Sequence, residues 1–274
     1  MVFTTFYFSG TGNTKWASEE FQKATENKGH QCRLVSIEEK NVDLHRLLNG
    51  TDFLGLAFPV YAMNIPEIMK QFIEKLDGVL AANVSPMPLF VLTTAGFADG
   101  CGPYEVVSHF SQRAVRLMGY TCLKMCTNIS TPVAKAPDLA PGEFEKRLET
   151  AKTKISALVD ALSAGKKKIE LGVYRIAVFR KQMSGMPKKA HEQLSINPST
   201  CEHCNTCVDS CPSGAIQTND AGALAITSDC TACMRCYNYC PTSSVWHSGQ
   251  YADPAEYARY RGPVIAIKQG AMQG

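Results

Sequence analysis

Two runs of cysteine carry the most specific chemistry in this sequence. Cys201, Cys204, Cys207 and Cys211 are spaced C-x2-C-x2-C-x3-C ahead of Pro212, and Cys230, Cys233, Cys236 and Cys240 repeat that spacing ahead of Pro241. Three thiolates at two-residue gaps wrap three corners of an iron-sulfur cube, while the fourth, turned by its proline, reaches the cube of the other half. On that rule one 4Fe-4S cluster takes Cys201, Cys204, Cys207 and Cys240, and the other takes Cys230, Cys233, Cys236 and Cys211. Paired C-x2-C motifs also build zinc ribbons. A tetrahedral zinc ion, however, uses two thiolates from each knuckle and leaves the third cysteine and the Cys-Pro end of each run without a task. Ser213, Gly214, Ala215 and Ala232 are small enough to let backbone amides approach the sulfurs.

A second chemical signature is Ser9-Gly10-Thr11-Gly12-Asn13-Thr14, placed between an apolar run and a segment with Ala17, Phe21 and Ala24 on one helical face. Glycines permit close backbone approach, the hydroxyls of Ser9, Thr11 and Thr14 add polar groups, and a helix amino terminus favours an anion. The nucleoside-triphosphate loop G-x4-G-K-[ST] is absent, and Lys15 occupies the last position of the dinucleotide fingerprint G-x-G-x-x-G. A terminal monophosphate fits the loop best.

The elements that must position these groups follow from periodicity. Five short apolar runs, Val2 to Phe8, Cys32 to Ile37, Phe53 to Phe58, Leu89 to Thr94 and Thr121 to Cys126, alternate with helical segments, the pattern of βα units around a parallel sheet. Ile65, Ile68, Met69, Phe72, Ile73 and Leu76 form one helical stripe behind Pro66, and Phe144, Leu148, Ala151, Ile155, Leu158 and Leu162 form another. These boundaries predict an α/β unit over 1–165, a linker over 166–194, a small α+β unit over 195–250 and a tail over 251–274. The linker region carries eight basic residues between Lys166 and Lys189 against Glu170 and Glu192, read as a solvated face or a docking patch for an acidic partner. Asp253-Pro254-Ala255-Glu256 predicts a capped helix start in the tail, to which no chemistry is assigned.

Composition excludes several classes. Hydrophobic residues make up 45% and charged residues 19% of the 274-residue chain, and the formal net charge is +3, which is ordinary for a globular protein. No targeting segment, membrane span or nucleic-acid motif is recognisable, so a cytoplasmic protein without membrane insertion is expected. The twelve cysteines then read as metal ligands and core residues rather than disulfides. Cys122 and Cys126 share one face of their strand and are read as core.

The segment from Ser195 to His247, with all eight ligand positions present, resembles the bacterial-type ferredoxins that carry two 4Fe-4S clusters. The segment from Met1 to Ala164 resembles the flavodoxins, in which FMN lies at the carboxyl ends of five parallel strands of order 2-1-3-4-5. That resemblance implies that Ser9 to Thr14 hold the phosphate. It implies that the ring lies between Pro59, Val60, Tyr61, Ala62, Met63 and Asn64 on one side and Thr93, Thr94, Ala95, Gly96, Phe97, Gly100 and Cys101 on the other. Tyr61 and Phe97 are the aromatics available to stack on it. The first ring loop lacks the tryptophan usual in small flavodoxins, and the second is less acidic, with Asp99 read as a surface carboxylate.

Nearly the whole chain is similar to flavodoxin-ferredoxin fusion proteins of anaerobic metabolism. The resemblance implies an electron carrier that relays electrons between its clusters and FMN, with a ferredoxin-type donor and a partner reductase. The alternative is an FMN-dependent reductase of a small molecule, fed by its own clusters, with Tyr61 and Cys101 as candidate proton donors. A third reading is a redox sensor. The lack of a second nucleotide-binding motif disfavours direct use of a nicotinamide cofactor. Catalytic residues and oligomeric state are left unassigned.

Overall fold

A computed structural model describes residues 1–81, 85–97, 102–111, 113–170, 190–219 and 222–263. Gly100, Cys101 and most of the basic segment lie outside the described residues. Strands β1 (Val2–Tyr7), β2 (Gln31–Ser36), β3 (Phe53–Pro59), β4 (Met87–Ala95), β5 (Val115–Lys124) and β6 (Lys168–Ile169) form one sheet of order β2-β1-β3-β4-β5-β6. Every pairing in it is parallel. The expected order 2-1-3-4-5 is therefore present, with a sixth strand added at the edge. A two-residue strand has no period to read, and Lys168 and Ile169 form one because Gly119 and Tyr120 of β5 offer a free edge. β5 also begins and ends earlier than expected, so Cys126 lies beyond the strand.

Both faces of the sheet are covered, which explains the nearly continuous apolar strands. Leu54, Leu56 and Phe58 of β3 and Leu89 and Val91 of β4 face α3 (Glu67–Leu80), whose Met69, Phe72, Ile73, Leu76 and Leu80 are buried. The alternate residues Phe53, Ala57, Phe90 and Leu92 face α1 (Asn13–Glu26) and α5 (Glu143–Ser163). The short helices α2 (Leu44–Leu48) and α4 (Gly102–Ser108) complete the unit. Both predicted stripes thus face the core, and parallel strands place the loops that follow β1, β3, β4 and β5 at one end of the sheet.

The second unit contains α6 (Ala190–Gln193), β7 (Leu194–Ile196), α7 (Thr206–Asp209), β8 (Ile216–Thr218), β9 (Leu224–Ile226), α8 (Arg235–Tyr239) and β10 (Val245–His247). β7 pairs antiparallel with β10, and β8 with β9. Its apolar core is small: Leu194, Met234, Tyr237, Val245 and Ala252. In the tail, Asp253 accepts from Ala255 at 2.9 Å through its side chain and from Tyr257 at 2.7 Å through its carbonyl. The expected helix start is a single turn and does not propagate, because the chain is pulled away to pack on the α/β unit. Among the described residues no helix is long and apolar enough to cross a membrane.

Gly55 in β3 tests the packing. A Cβ there would fall 2.2 Å from the Phe90 ring and 2.7 Å from Thr5 Oγ1. Phe90 cannot retreat, since it stacks on Phe21 at 4.5 Å and abuts Phe3 edge-on at 6.2 Å. Gly55→Ala is expected to destabilise the protein by about 1–3 kcal/mol, the usual cost of overpacking a core. A thermal melt would register this as a drop of roughly 2–4 °C per kcal/mol.

Candidate functional site

The two cysteine runs fold by one recipe. Each places two left-handed residues at matching positions, His203 and Asn205 in the first and Ala232 and Met234 in the second. A third left-handed position follows each Cys-Pro, at Gly214 and Ser243. Such residues turn successive amides inward to make an anion-binding concavity. The fourth cysteine of each run then accepts an N–H from four residues on, Ala215 to Cys211 Sγ at 3.3 Å and Ser244 to Cys240 Sγ at 3.2 Å. Of the amide donors anticipated from small residues, Ala215 bonds to Cys211 and Ala232 to Cys230; Ser244 is one that size alone did not single out.

The thiols gather across the two runs. Cys236 lies within electrostatic reach of Cys233, Cys230 and Cys211, and Cys207 within reach of Cys240 and Cys201. Each grouping joins the fourth cysteine of one run to members of the other, and Cys204 is exposed. Among the described residues no three His, Cys, Asp or Glu side chains converge closely enough for a single metal ion. Burial pushes the Cys233 thiol up to about 12, and burial with its thiol neighbours raises Cys236 well above the ordinary range. Burial opposes ionisation of Cys240 too, but hydrogen bonds from Thr242 and Ser244 hold it below its usual value. Buried thiols gathered this way ionise together only beside a compensating positive charge.

The second run is docked on the α/β unit. Arg235 donates from Nε to Gly10 O at 2.9 Å, from Nη2 to Ser9 O at 2.7 Å and from Nη1 to Ser210 O at 2.7 Å. Its two remaining N–H groups meet the Glu38 carboxylate at 2.6 and 2.7 Å. Asn128 Nδ2 donates to Cys233 O at 3.0 Å, Asn238 Nδ2 to Asn128 O at 2.9 Å and the Tyr237 hydroxyl to Ser130 O at 2.6 Å. The tail adds Tyr260, whose amide donates to Asn238 Oδ1 and whose hydroxyl reaches Asn13 Oδ1 at 2.5 Å.

Between the units lies a cavity of about 550 Å³. Ser9, Gly10, Thr11, Asn13 and Thr14 line one end, followed by Pro59, Val60, Tyr61, Ala62 and Met63, and by Thr94, Ala95, Gly96 and Phe97. The predicted loops therefore converge. Three predicted residues are placed elsewhere. Thr93 sits on the opposite strand face, buried with its hydroxyl 3.3 Å from that of Tyr120. Asn64 closes the turn by bridging to Tyr61 and donating to Ala62 O at 2.6 Å. Gly12 lies under the tail, where a Cβ would fall 2.9 Å from Gly262 Cα. Thr14 Oγ1 is paired with Thr94 Oγ1 at 2.8 Å, tying the first loop to the third. Tyr61 is held edge-on by Phe8 at 6.5 Å with its hydroxyl buried against the Gly10 backbone, whereas Phe97 is 72% exposed at the cavity edge.

Sequence reasoning missed the rest of the wall: Cys126 to Ile129 after β5, and Leu194, Ala232, Met234 and His247 of the second unit. Parallel topology alone could have flagged the loop after β5. Cys126 is consequently a cavity residue rather than strand core, and burial raises its thiol.

Residues 193–252 match the family described as a 4Fe-4S dicluster domain. Over that span the carboxy-terminal unit is a small ferredoxin-type domain, similar to 4Fe-4S dicluster domains. Joined to it is an α/β unit with the flavodoxin-like strand order. Among solved structures, an archaeal flavodoxin shares 16% identity over 60% of this chain and 99% of its own, with a TM-score of 0.41. An oxidised flavodoxin 2 from Bacillus cereus shares 15% over 58% and 99%, at 0.40, and the Trp repressor binding protein of Bacillus subtilis 17% over 57% and 96%, also at 0.40. No curated protein matches the chain.

His247 ties the carboxy-terminal unit to the segment after β5 by sharing a hydrogen bond at 3.1 Å with Thr131. Burial lowers its pKa below the usual 6.5. The unfolded chain therefore binds a proton there before the folded one does, so this contribution to stability is complete above about pH 6.5 and is lost as pH falls below it. His109, also lowered by burial, adds a second such term. Urea melts between pH 7.5 and pH 5.0 are expected to show a shallower acid loss for His247→Gln than for the parent; an unchanged slope would exclude this linkage.

Proposed function

We propose that the chain is an electron-transfer protein whose α/β unit holds FMN and whose dicluster domain holds two 4Fe-4S clusters, linking a ferredoxin-type donor to a partner reductase. The reading rests above all on the shared wall: Ala232 and Met234, which flank Cys233, line the same cavity as Ser9 to Thr11 and the loops after β3 and β4. FMN takes electrons singly or in pairs, whereas a 4Fe-4S cluster passes one at a time, so placing them together changes electron number.

The residues fit these groups. The cavity volume lies within the roughly 300–1,000 Å³ of small-molecule sites, and its lining is mostly apolar with few polar groups, as a planar aromatic ring needs. Ser9, Gly10, Thr11, Asn13 and Thr14 would hold the phosphate at the amino terminus of α1, which has no side-chain cap of its own. Pro59 to Met63 and Thr94 to Phe97 would flank the ring. Cys230, Cys233, Cys236 and Cys211 would hold an inner cluster, backed onto the cavity through Ala232 and Met234. Cys201, Cys204, Cys207 and Cys240 would hold an outer cluster, and the exposure of Cys204 gives a redox partner its closest approach.

Anaerobic purification with iron, sulfide and flavin analysis is the direct test, with about eight irons and one FMN expected. Cys204→Ser and Cys233→Ser separate the two ends. Each is expected to lower iron to roughly four per chain. Only Cys204→Ser should slow reduction by an external ferredoxin while leaving flavin binding intact. Zinc in place of iron, or flavin absent from the purified protein and from reconstitution, would overturn the reading.

A further inference from the structure

The loop that would hold the FMN phosphate contains no lysine or arginine among residues 9–14. The guanidinium that touches it comes from the other unit. Arg235 binds the carbonyl oxygens of Ser9 and Gly10, and each of these carbonyls belongs to a peptide group whose N–H is on the next residue, Gly10 and Thr11. In a planar trans peptide the C=O and N–H point in opposite directions. A charged donor on the oxygen therefore turns the N–H away from Arg235 and polarises it, since linked hydrogen bonds strengthen one another in a low-dielectric site. Ser9, Gly10 and Thr11 all line the cavity.

The geometry has no slack. All five guanidinium N–H donors are used, three on the carbonyls of Ser9, Gly10 and Ser210 and two on Glu38. Gly10 is pressed between the units, with an added Cβ falling 2.2 Å from the Tyr61 hydroxyl and 2.8 Å from Cys233 O. Glu38 balances the buried charge without touching the loop, so the carboxylate anchors the guanidinium and the guanidinium sets the peptides.

We propose that Arg235 of the carboxy-terminal unit is a positioning residue for the flavin phosphate, polarising the Thr11 amide through the Gly10 carbonyl from behind the loop, so that FMN affinity depends on the docked cluster unit. This rests on the FMN reading above. It assigns to one side chain two tasks, joining the units and aiding recognition of a terminal monophosphate through the Gly10–Thr11 peptide.

FMN and riboflavin differ only in that phosphate, and titrating both into flavin-stripped, cluster-loaded protein isolates the effect. Arg235→Gln is expected to weaken FMN several-fold more than it weakens riboflavin, whose own loss reports the looser junction alone, and to leave iron content unchanged. Glu38→Gln, which keeps the bonds to Ser9 and Gly10, should retain the preference for FMN; it carries the test if Arg235→Gln loses its iron. Equal losses for FMN and riboflavin in Arg235→Gln, or loss of the FMN preference in Glu38→Gln, would reduce Arg235 to an interface residue and overturn the proposal. Failure of the parent protein to bind either flavin while its iron is intact would instead remove the FMN reading itself.

Discussion

The arrangement of the whole molecule depends on burying one guanidinium with every donor satisfied. Removing an arginine from water is expensive, and the loss is recovered only where charge and hydrogen bonds are both matched. Arg235 meets that condition at a single place, where the Glu38 carboxylate accepts two N–H groups and three backbone carbonyls from two units accept the others. A lysine offers three donors and no planar fork, so it could not satisfy the same five acceptors. Because Ser210 belongs to the first cysteine run and Ser9 and Gly10 to the α/β unit, one side chain sets the register of three segments. Their separation in the sequence, up to 226 residues, makes the junction a property of the folded chain alone.

The dicluster domain is built from two near-equivalent halves, and its docking breaks the equivalence. Position by position, His203, Asn205 and Thr206 of the first half correspond to Ala232, Met234 and Arg235 of the second. The backbone is the same at the matched left-handed positions, yet the first set is polar and faces water while the second is apolar apart from one arginine. Ala232 and Met234 then form cavity wall, and Cys233 is buried where its counterpart Cys204 is exposed. Hydrophobic burial decides which half docks, and the arginine decides where.

Much of this was legible in the residues. Cysteine spacing leads to the crossed thiol sets because three closely spaced ligands cannot close a cube alone, and alternation of Leu54, Leu56 and Phe58 with Phe53 and Ala57 leads to a sheet covered on both faces. Most of the cavity followed from the rule that ligands sit at the carboxyl ends of parallel strands. What escaped was whatever depends on contacts distant in sequence. Lys168 and Ile169 become a strand only because β5 offers an edge, and the turn at Asp253 stops short of a helix only because Tyr260 is drawn to Asn13 and Asn238. Cys122 and Cys126 looked alike by spacing, but β5 ends at Lys124 and leaves Cys126 in a loop. The difference between the two halves of the cysteine motif was visible in the sequence, yet acquired meaning only once the α/β unit lay against one of them.

Glycine in the first loop illustrates how a correct inference can have an incomplete reason. Gly10 lines the cavity, where a bare backbone permits close approach, whereas Gly12 lies under the tail. Both are required on the side of the protein. At Gly10 a side chain would strike Tyr61 and the Cys233 carbonyl; at Gly12, which has a φ of 108°, it would strike the backbone of Arg261 and Gly262. Gly262 is itself left-handed, at 86°, and any Cβ there would fall 2.9 Å from Thr11 O. The loop is thus gripped on its carbonyl side by the cluster unit and on its outer side by the tail, two backbones touching where neither tolerates a side chain. A glycine-rich loop alone does not reveal which neighbours demand the glycine, and here Tyr61, Cys233 and the tail do.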